Sequence, residues 1–130
     1  MDSGLYQLVI RLREDRTIRV GRLGRFRFPA GTYVYTGSAK AGLEARISRH
    51  RRRGKKLKWH VDYLLKHAGI LDVKRYPGDK SECELNGKVE RLPGSKPIVS
   101  GFGSSDCSCI AHLFHFSRNP SRELRRTGNG

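Results

Sequence analysis

Acidic residues, cysteines and long apolar segments are all scarce in this chain of 130 residues. No segment approaches the roughly 18 consecutive apolar residues that a membrane span needs. The N-terminal MDSGLYQLVI lacks the order of a signal peptide, in which basic residues precede an apolar stretch. We therefore expect a cytoplasmic protein without a membrane partner.

The chain contains only three cysteines, Cys83, Cys107 and Cys109. An odd number, in a chain without a signal peptide, argues against a disulfide framework. Cys107, Cys109 and His112 form C-x-C-x₂-H, which Cys83 or His115 would complete as a zinc site. On one strand, however, the first histidine would fall on the opposite face from the cysteines, unless the strand begins later or carries a bulge. Buried thiols beside a Gly-rich turn are the simpler explanation, so zinc is not expected.

Positive charge is abundant, with 27 Lys and Arg against 12 Asp and Glu, which gives a net charge of +15. Most of the excess is Arg, whose planar guanidinium suits bidentate contact with phosphate. Nucleic acid is therefore the expected partner, DNA rather than RNA. Its predicted contacts are Gly37, Ser38, Lys40, Arg49, Arg53, Lys55, Lys56 and Lys58.

Hydrophobic periodicity predicts an α+β fold with a small, mainly antiparallel sheet flanked by helices. In residues 4–13 every second side chain from Tyr6 to Leu12 is apolar, as in a strand that packs one face on the core. The turn-like EDR should join this strand to residues 17–23 in a first hairpin. Residues 24–28 and 32–37 continue as strands, so three neighbouring strands are expected in one sheet.

The period changes to that of a helix over residues 42–53, and Gly54 should end this helix. Residues 59–68 predict a second helix. Residues 79–92 predict a third, weaker helix because an Asn-Gly dipeptide interrupts it.

The remaining segments complete one domain. Residues 70–76 predict a strand, residues 96–106 a strand that leads into a Gly/Ser turn, and residues 109–116 an added C-terminal strand. No repeat or linker divides the chain, so residues 1–118 are predicted to form a single domain. Residues 119–130 are predicted to be a basic, mobile tail.

A cluster of reactive side chains is predicted where the strand of residues 32–37 meets the first helix. Tyr33 and Tyr35 share a strand face, and Arg46 and His50 share a helix face. Tyr6 joins them if the first strand pairs beside this one. Phenols and imidazoles can move a proton at an attacking water, and a guanidinium can neutralise a phosphate. Core packing and a solvated basic face would explain the same residues.

The third helix offers a carboxylate, Glu82 or Glu84, for one Mg²⁺ or Mn²⁺ ion. His60 and Asp62 at the start of the second helix, and Asp106 in the Gly/Ser turn, are further candidates for the same groove. Asp62 also has a structural explanation, because a carboxylate is favoured at the positive end of a helix dipole.

Two tripeptides carry a resemblance to a known superfamily. GLY at residues 4–6 and YTG at residues 35–37, followed by GLEARISRH, resemble the tripeptides and first helix of the GIY-YIG nucleases. The middle residue of each tripeptide differs, and their separation is longer than in many members. Over nearly its full length the chain is similar to an uncharacterised, largely archaeal branch of GIY-YIG-like domains. The segments WHVDYLL, SECEL and GFGSSDCSCIAHLF carry this second similarity.

The resemblance implies a GIY-YIG-like fold and a nuclease site. Tyr6 and Tyr35 would stand near the attacking water, and Arg46 would contact the scissile phosphate. His50 would assist, and Glu82 would hold the single Mg²⁺ or Mn²⁺ ion because the similarity centres on the dipeptide EC. Cleavage of nucleic acid in DNA repair or recombination is implied, with a base-excision repair enzyme as partner, since domains of the branch are sometimes fused to endonuclease III-type enzymes.

The chain departs from the superfamily in one further respect. Active members often carry an Asn on a late element, and no equivalent is identified here. A non-catalytic nucleic-acid-binding module with the same fold is therefore the alternative to a metal-dependent endonuclease. A zinc-stabilised interaction domain would depend only on the Cys/His cluster.

Overall fold

The computed structural model describes residues 3–77, 81–103 and 108–124. The strands are β1 (Gly4–Leu12), β2 (Arg16–Val20), β3 (Gly24–Phe28), β4 (Gly31–Ala39), β5 (Gly69–Pro77) and β6 (Leu113–Phe116). The helices are α1 (Leu43–Arg51), α2 (His60–Leu65) and α3 (Glu82–Glu90), with a 3-10 turn at Gly21–Leu23. This architecture confirms the predicted α+β class.

A four-stranded antiparallel sheet in the order β5-β1-β4-β6 forms the centre of the domain. Tyr6, Leu8 and Ile10 of β1 pack into a core that also contains buried residues of α1 and α2. Val9 of β1 faces the other way, into a cluster that includes Val89 of α3. The sheet is therefore covered on both faces, with α1 and α2 on one and α3 on the other.

The predicted first hairpin between β1 and β2 is wrong. β1 pairs with β4 and β5, while β2 pairs only with β3 in a separate two-stranded sheet. The burial of the strands explains the difference. In β1 every residue except Arg11 is buried, whereas β2 and β3 each carry two exposed arginines. β1 is an inner strand of a sheet that helices cover on both faces, whereas the exposed arginines keep the β2–β3 hairpin at the surface.

Three element boundaries also differ from the prediction. Helix α1 ends at Arg51, before Gly54, because Arg52 already has an extended backbone. The described residues of 96–106 form turns and an isolated bridge at Lys96, not a strand. The last strand begins at Leu113, so Cys109 and His112 precede it in a loop. A backbone rich in Gly and Ser favours turns over strand pairing, so β6 begins only at the apolar residue Leu113.

The packed part of the chain extends beyond residue 118. Leu124 is fully buried and belongs to the cluster beneath α3, together with Val89 and Phe116. None of the helices in the described part of the chain has the length and apolar composition that crossing a membrane requires.

Candidate active site

The register of β1 and β4 positions the two tyrosines. Tyr6 lies opposite Gly37 and Leu8 lies opposite Tyr35, so both phenols emerge on one face of adjacent strands. Their ring centroids are 6.3 Å apart. A Cβ at residue 37 would lie 2.6 Å from the Tyr6 ring, so this position must be glycine for the ring to pack there. Tyr6 thus packs against Gly37, which also lines the cavity described next, and contact of Gly37 with nucleic acid stays a prediction.

A cavity of about 240 Å³ opens where these strands meet α1, α2 and α3. It brings together Tyr6, Tyr35, Arg46 and Glu82, which the sequence predicted would converge. Its remaining lining residues are Gly37, Ser38, Lys58, Trp59, His60 and Gly103. Trp59 and Gly103 were not predicted as site residues. Trp59 could have been predicted, because a tryptophan among basic residues is a typical contact for an arginine or a nucleic acid. Nothing in the sequence indicates Gly103.

Arg46 is held in the cavity by two contacts. Its Nη1 donates a hydrogen bond to the carbonyl oxygen of Ser38 at 2.6 Å, and its guanidinium lies 4.8 Å from the centre of the Trp59 ring. The stack on Trp59 favours a flat, fixed orientation of the guanidinium. Arg46 therefore presents a positioned positive charge beside the two phenols.

Arg49 and Asp62 form a buried ion pair outside the cavity lining. Asp62 is fully buried and accepts hydrogen bonds from both terminal nitrogens of Arg49 at 3.1 Å. It also accepts the backbone N–H groups of Lys58 and Trp59, each at 2.8 Å. Asp62 does not line the cavity, because its carboxylate is buried against Arg49. Contact of Arg49 with nucleic acid stays a prediction. Although burial raises the pKa of Asp62, these hydrogen bonds lower it below its usual value.

His50 contacts the hydroxyl of Tyr6 but does not line the cavity. Its Nε2 lies 2.7 Å from the Tyr6 hydroxyl, and the imidazole is buried beside Trp59. Burial lowers the pKa of His50 to about 4, so its ring is neutral at neutral pH. Burial raises the pKa of Tyr6, partly opposed by Arg46, and burial also raises the pKa of Tyr35. Both phenols are therefore protonated at neutral pH.

The depressed pKa of His50 predicts a pH-dependent stability. The unfolded chain binds a proton at its histidine below about pH 6.5, whereas the folded chain binds it only below about pH 4. Stability should therefore be complete above pH 6.5 and fall as the pH decreases toward 4, by up to about 3 kcal/mol. Urea denaturation across this range measures the loss.

The variant His50→Gln isolates this contribution. Other histidines and the carboxylates also titrate in acid, so the informative quantity is the difference between the two proteins. His50→Gln should show a shallower decline between about pH 6.5 and 4. Parallel curves for the two proteins would contradict the assignment.

Glu82 is the only carboxylate among the described residues that line the cavity. It is the first residue of α3, its side chain is 29% exposed, and its Oε2 lies 2.8 Å from Nδ1 of His112. Burial opposes its ionisation, but hydrogen bonds from His112 and Ser38 lower its pKa below the usual value. A charged, partly exposed carboxylate fits one Mg²⁺ or Mn²⁺ ion, which commonly takes its other ligands from waters and substrate phosphates.

A model of the domain of unknown function DUF123 matches residues 5–129. The chain belongs to the DUF123 family. No curated protein and no solved structure matches it.

A basic groove of about 750 Å³ adjoins the cavity of this DUF123 domain. The two share Lys58 and His60. Burial lowers the pKa of His60, whose Nδ1 accepts the Gly103 N–H at 2.8 Å. His60, a predicted residue of the catalytic groove, thus lines both the cavity and the basic groove. Other basic residues of this groove, from β2, the 3-10 turn and the turn after α2, were not predicted as contacts: Arg19, Arg22, Lys66 and His67.

The other predicted phosphate contacts of the DUF123 domain lie away from the cavity. Lys40 is exposed in the turn before α1, and Lys56 is exposed after it. Arg53 and Lys55 line a separate depression at the C-terminal end of α1, where Lys55 donates to the carbonyl oxygens of His50 and Arg52. These donations satisfy carbonyls that the helix end leaves open, so Lys55 stabilises α1.

The predicted soft ligands of the DUF123 domain are only partly described. Ligand atoms of Cys83, Cys109 and His112 lie within 4.8 Å of one another. Cys107 and Asp106 lie outside the described residues. The side chain of His115, which is 8% exposed, approaches the carbonyl of Ala30 at 2.9 Å, so it belongs to a different part of the fold.

Proposed function

We propose that this DUF123 domain has a GIY-YIG-like active site and hydrolyses nucleic-acid phosphodiesters with one Mg²⁺ or Mn²⁺ ion. The observation that carries the proposal is the convergence of Tyr6, Tyr35, Arg46 and Glu82 on one cavity. The basic groove beside it supports a polyanionic substrate, with DNA preferred. The similarity to a largely archaeal branch with repair-enzyme fusions supports a cytoplasmic role in repair or recombination, beside a base-excision repair enzyme.

Arg46 is the residue proposed to bind the scissile phosphate. Its guanidinium is fixed by Trp59 and by the Ser38 carbonyl, so it needs little rearrangement when a phosphate enters. Negative charge on the phosphate grows in the transition state, and a fixed positive charge stabilises that state more than the substrate. Arg49 is not proposed for this role, because its guanidinium is paired with the Asp62 carboxylate.

Tyr6 and His50 are proposed to relay the proton of the attacking water. A phenol with a raised pKa is a poor base by itself, but its oxygen can accept a proton as its hydroxyl passes one on. The neutral ring of His50 lies within hydrogen-bond distance to receive it. An incoming phosphate adds negative charge near the site, which favours the imidazolium. Tyr35 would orient the water from the other side of the cavity.

Glu82 is the residue proposed to hold the divalent ion. When bound, the ion would supply positive charge that neutralises the phosphate and the leaving oxygen. His112 and Ser38 keep the Glu82 carboxylate ionised and fix its orientation toward the cavity. A single protein carboxylate is sufficient where substrate phosphate provides further oxygen ligands.

A binding module without turnover is the second candidate function. The low pKa of His50 favours it, because a base that weak gains little from accepting the proton of water. The basic groove would be retained in such a module, whereas the carboxylate and phenols would be dispensable. The two functions therefore differ in cleavage and agree in binding.

A cleavage screen tests the proposed function. Single-stranded, duplex, flapped and four-way DNA, with RNA alongside, are incubated with the protein and Mg²⁺ or Mn²⁺. We expect cleavage of at least one DNA substrate that EDTA abolishes. Binding without cleavage of any substrate would replace the enzyme by the binding module.

The same substrates give the salt dependence of binding. If five cations of the cavity and groove each neutralise a duplex phosphate, the log–log slope should be about −4 to −5. Replacing Arg19 and Arg22 by Ala should reduce this slope by about 2. The matched variant with Arg118 and Arg122 replaced, which are exposed and line neither the cavity nor the groove, should keep the parental slope. A slope near zero in the parent protein would exclude both functions.

A further inference from the structure

A cluster of soft metal ligands lies beside the cavity. Cys83 is the second residue of α3, Cys109 lies in the loop before β6, and His112 directly precedes that strand. One ligand atom from each lies within 4.8 Å of the other two. Two segments far apart in the sequence, the start of α3 and the loop before β6, thus bring two sulfurs and one imidazole close together. A tetrahedral zinc ion with Zn–S distances of about 2.3 Å holds its ligand atoms about 3.8 Å apart, so the cluster needs only a small contraction.

The hydrogen bonds of His112 select the nitrogen that can bind a metal. Nδ1 lies 2.8 Å from the Glu82 carboxylate and 3.2 Å from the carbonyl oxygen of Thr36. Both neighbours are acceptors, so Nδ1 carries the proton. In the neutral ring this tautomer leaves a lone pair on Nε2. A histidine whose second nitrogen donates to a carboxylate is the usual arrangement around protein-bound zinc.

We infer that Cys83, Cys109 and His112 bind a zinc ion, with Glu82 orienting the histidine. Two thiolates and an imidazole suit zinc and do not suit Mg²⁺ or Mn²⁺, which prefer oxygen ligands. Binding releases the protons of the two thiols. The fourth position of the tetrahedron is left for a further donor. This inference replaces the sequence-based expectation of ordinary buried thiols.

The ion would fix the start of α3 to the loop before β6. Asn86 already joins the same two elements, because its side-chain nitrogen donates to the carbonyl of Ala111 at 2.7 Å. Glu82 immediately precedes Cys83, so the zinc would also hold this carboxylate at the cavity. A structural zinc site would thereby position the residue proposed to bind the catalytic ion. The zinc ion itself would not touch the substrate.

The metal content of the purified full chain tests the inference. We expect one zinc ion per chain by mass spectrometry after desalting. Cobalt added to the zinc-stripped protein should give the near-ultraviolet charge-transfer absorption of thiolate ligands. Cys83→Ser and Cys109→Ser should each lose most of the zinc and this absorption. Cys83 is exposed, so its replacement should leave the fold intact.

A second pair of variants tests the role of Glu82. Glu82→Gln should lower zinc affinity about 10- to 100-fold, as expected for loss of a carboxylate behind a ligating histidine. Glu84→Gln, an exposed carboxylate in the same helical turn, should leave the affinity unchanged. Equal affinities for both variants would overturn the orienting role of Glu82.

Two results would overturn the zinc site itself. One is a zinc-free parent protein whose stripped form gives no cobalt–thiolate absorption. The other is retention of zinc by both cysteine variants. No nucleic acid enters these measurements, so failure of the zinc site is distinguishable from failure of the proposed nuclease activity.

Discussion

Glu82→Gln should abolish metal-dependent cleavage while leaving nucleic-acid binding largely unchanged. The substitution keeps the shape of the side chain and removes the one carboxylate of the described cavity lining. Losing the contribution of a bound divalent ion costs several kcal/mol of transition-state stabilisation, which corresponds to a rate decrease of about 10²–10³-fold or more. Single-turnover cleavage and equilibrium binding, measured with the same substrate, separate the two effects.

Glu84→Gln is the matched control, because it removes the same charge from the same turn of α3 at an exposed position. It should cleave at nearly the parental rate. Zinc content is measured in both preparations, since Glu82 also contacts His112. A Glu82→Gln protein that still cleaves at the parental rate would remove this residue from the proposed mechanism.

Arg46→Ala should reduce the cleavage rate about 10²–10³-fold, because a fixed positive charge at the scissile phosphate acts mainly in the transition state. Binding should weaken much less, since one phosphate contact among several is lost. The stability of the protein should change little, because the Arg46 side chain is partly exposed and its partners are a ring face and a carbonyl. Single-turnover rates and urea denaturation give the two quantities.

Arg49→Ala provides the contrast, because both arginines stack on Trp59 but only Arg49 pairs with a buried carboxylate. Removing one partner of a buried ion pair typically costs about 3–5 kcal/mol, so this variant should be strongly destabilised. Its folded fraction should cleave at close to the parental rate. If Arg49→Ala lost the rate and Arg46→Ala kept it, the assignment of the phosphate-binding arginine would be reversed.

The sequence predicted the cavity residues well because their placement depends on local periodicity. Side chains two apart on β4 must share a face, and so must side chains four apart on α1. Spacing thus fixes the strand face of Tyr35 and the helix face of Arg46, and the packing of α1 on the sheet brings both to the cavity. The charge of the chain predicts a polyanionic partner without any knowledge of the fold, and that partner stays a prediction. The nuclease and metal roles of these residues stay predictions.

Local periodicity does not specify which strands pair. Alternation in β1 is compatible with β2, its nearest neighbour in sequence, and equally with β4. The choice falls to β4 and β5 because β1 must be covered on both faces, which depends on where the helices pack. Only this pairing brings Tyr6 to Gly37 and completes the cavity.

By itself, then, the sequence of this DUF123 domain determined the fold class, the charge and the faces on which Tyr35 and Arg46 would lie, while Glu82 was chosen over Glu84 only through the resemblance. The tertiary structure decided the use of each polar group, because contacts between distant segments follow from packing and not from spacing. In the folded chain Arg49 pairs with Asp62, and residues of β2 and α2 line the basic groove. The tertiary structure also brought Cys83 to His112 across a gap that no short motif spans.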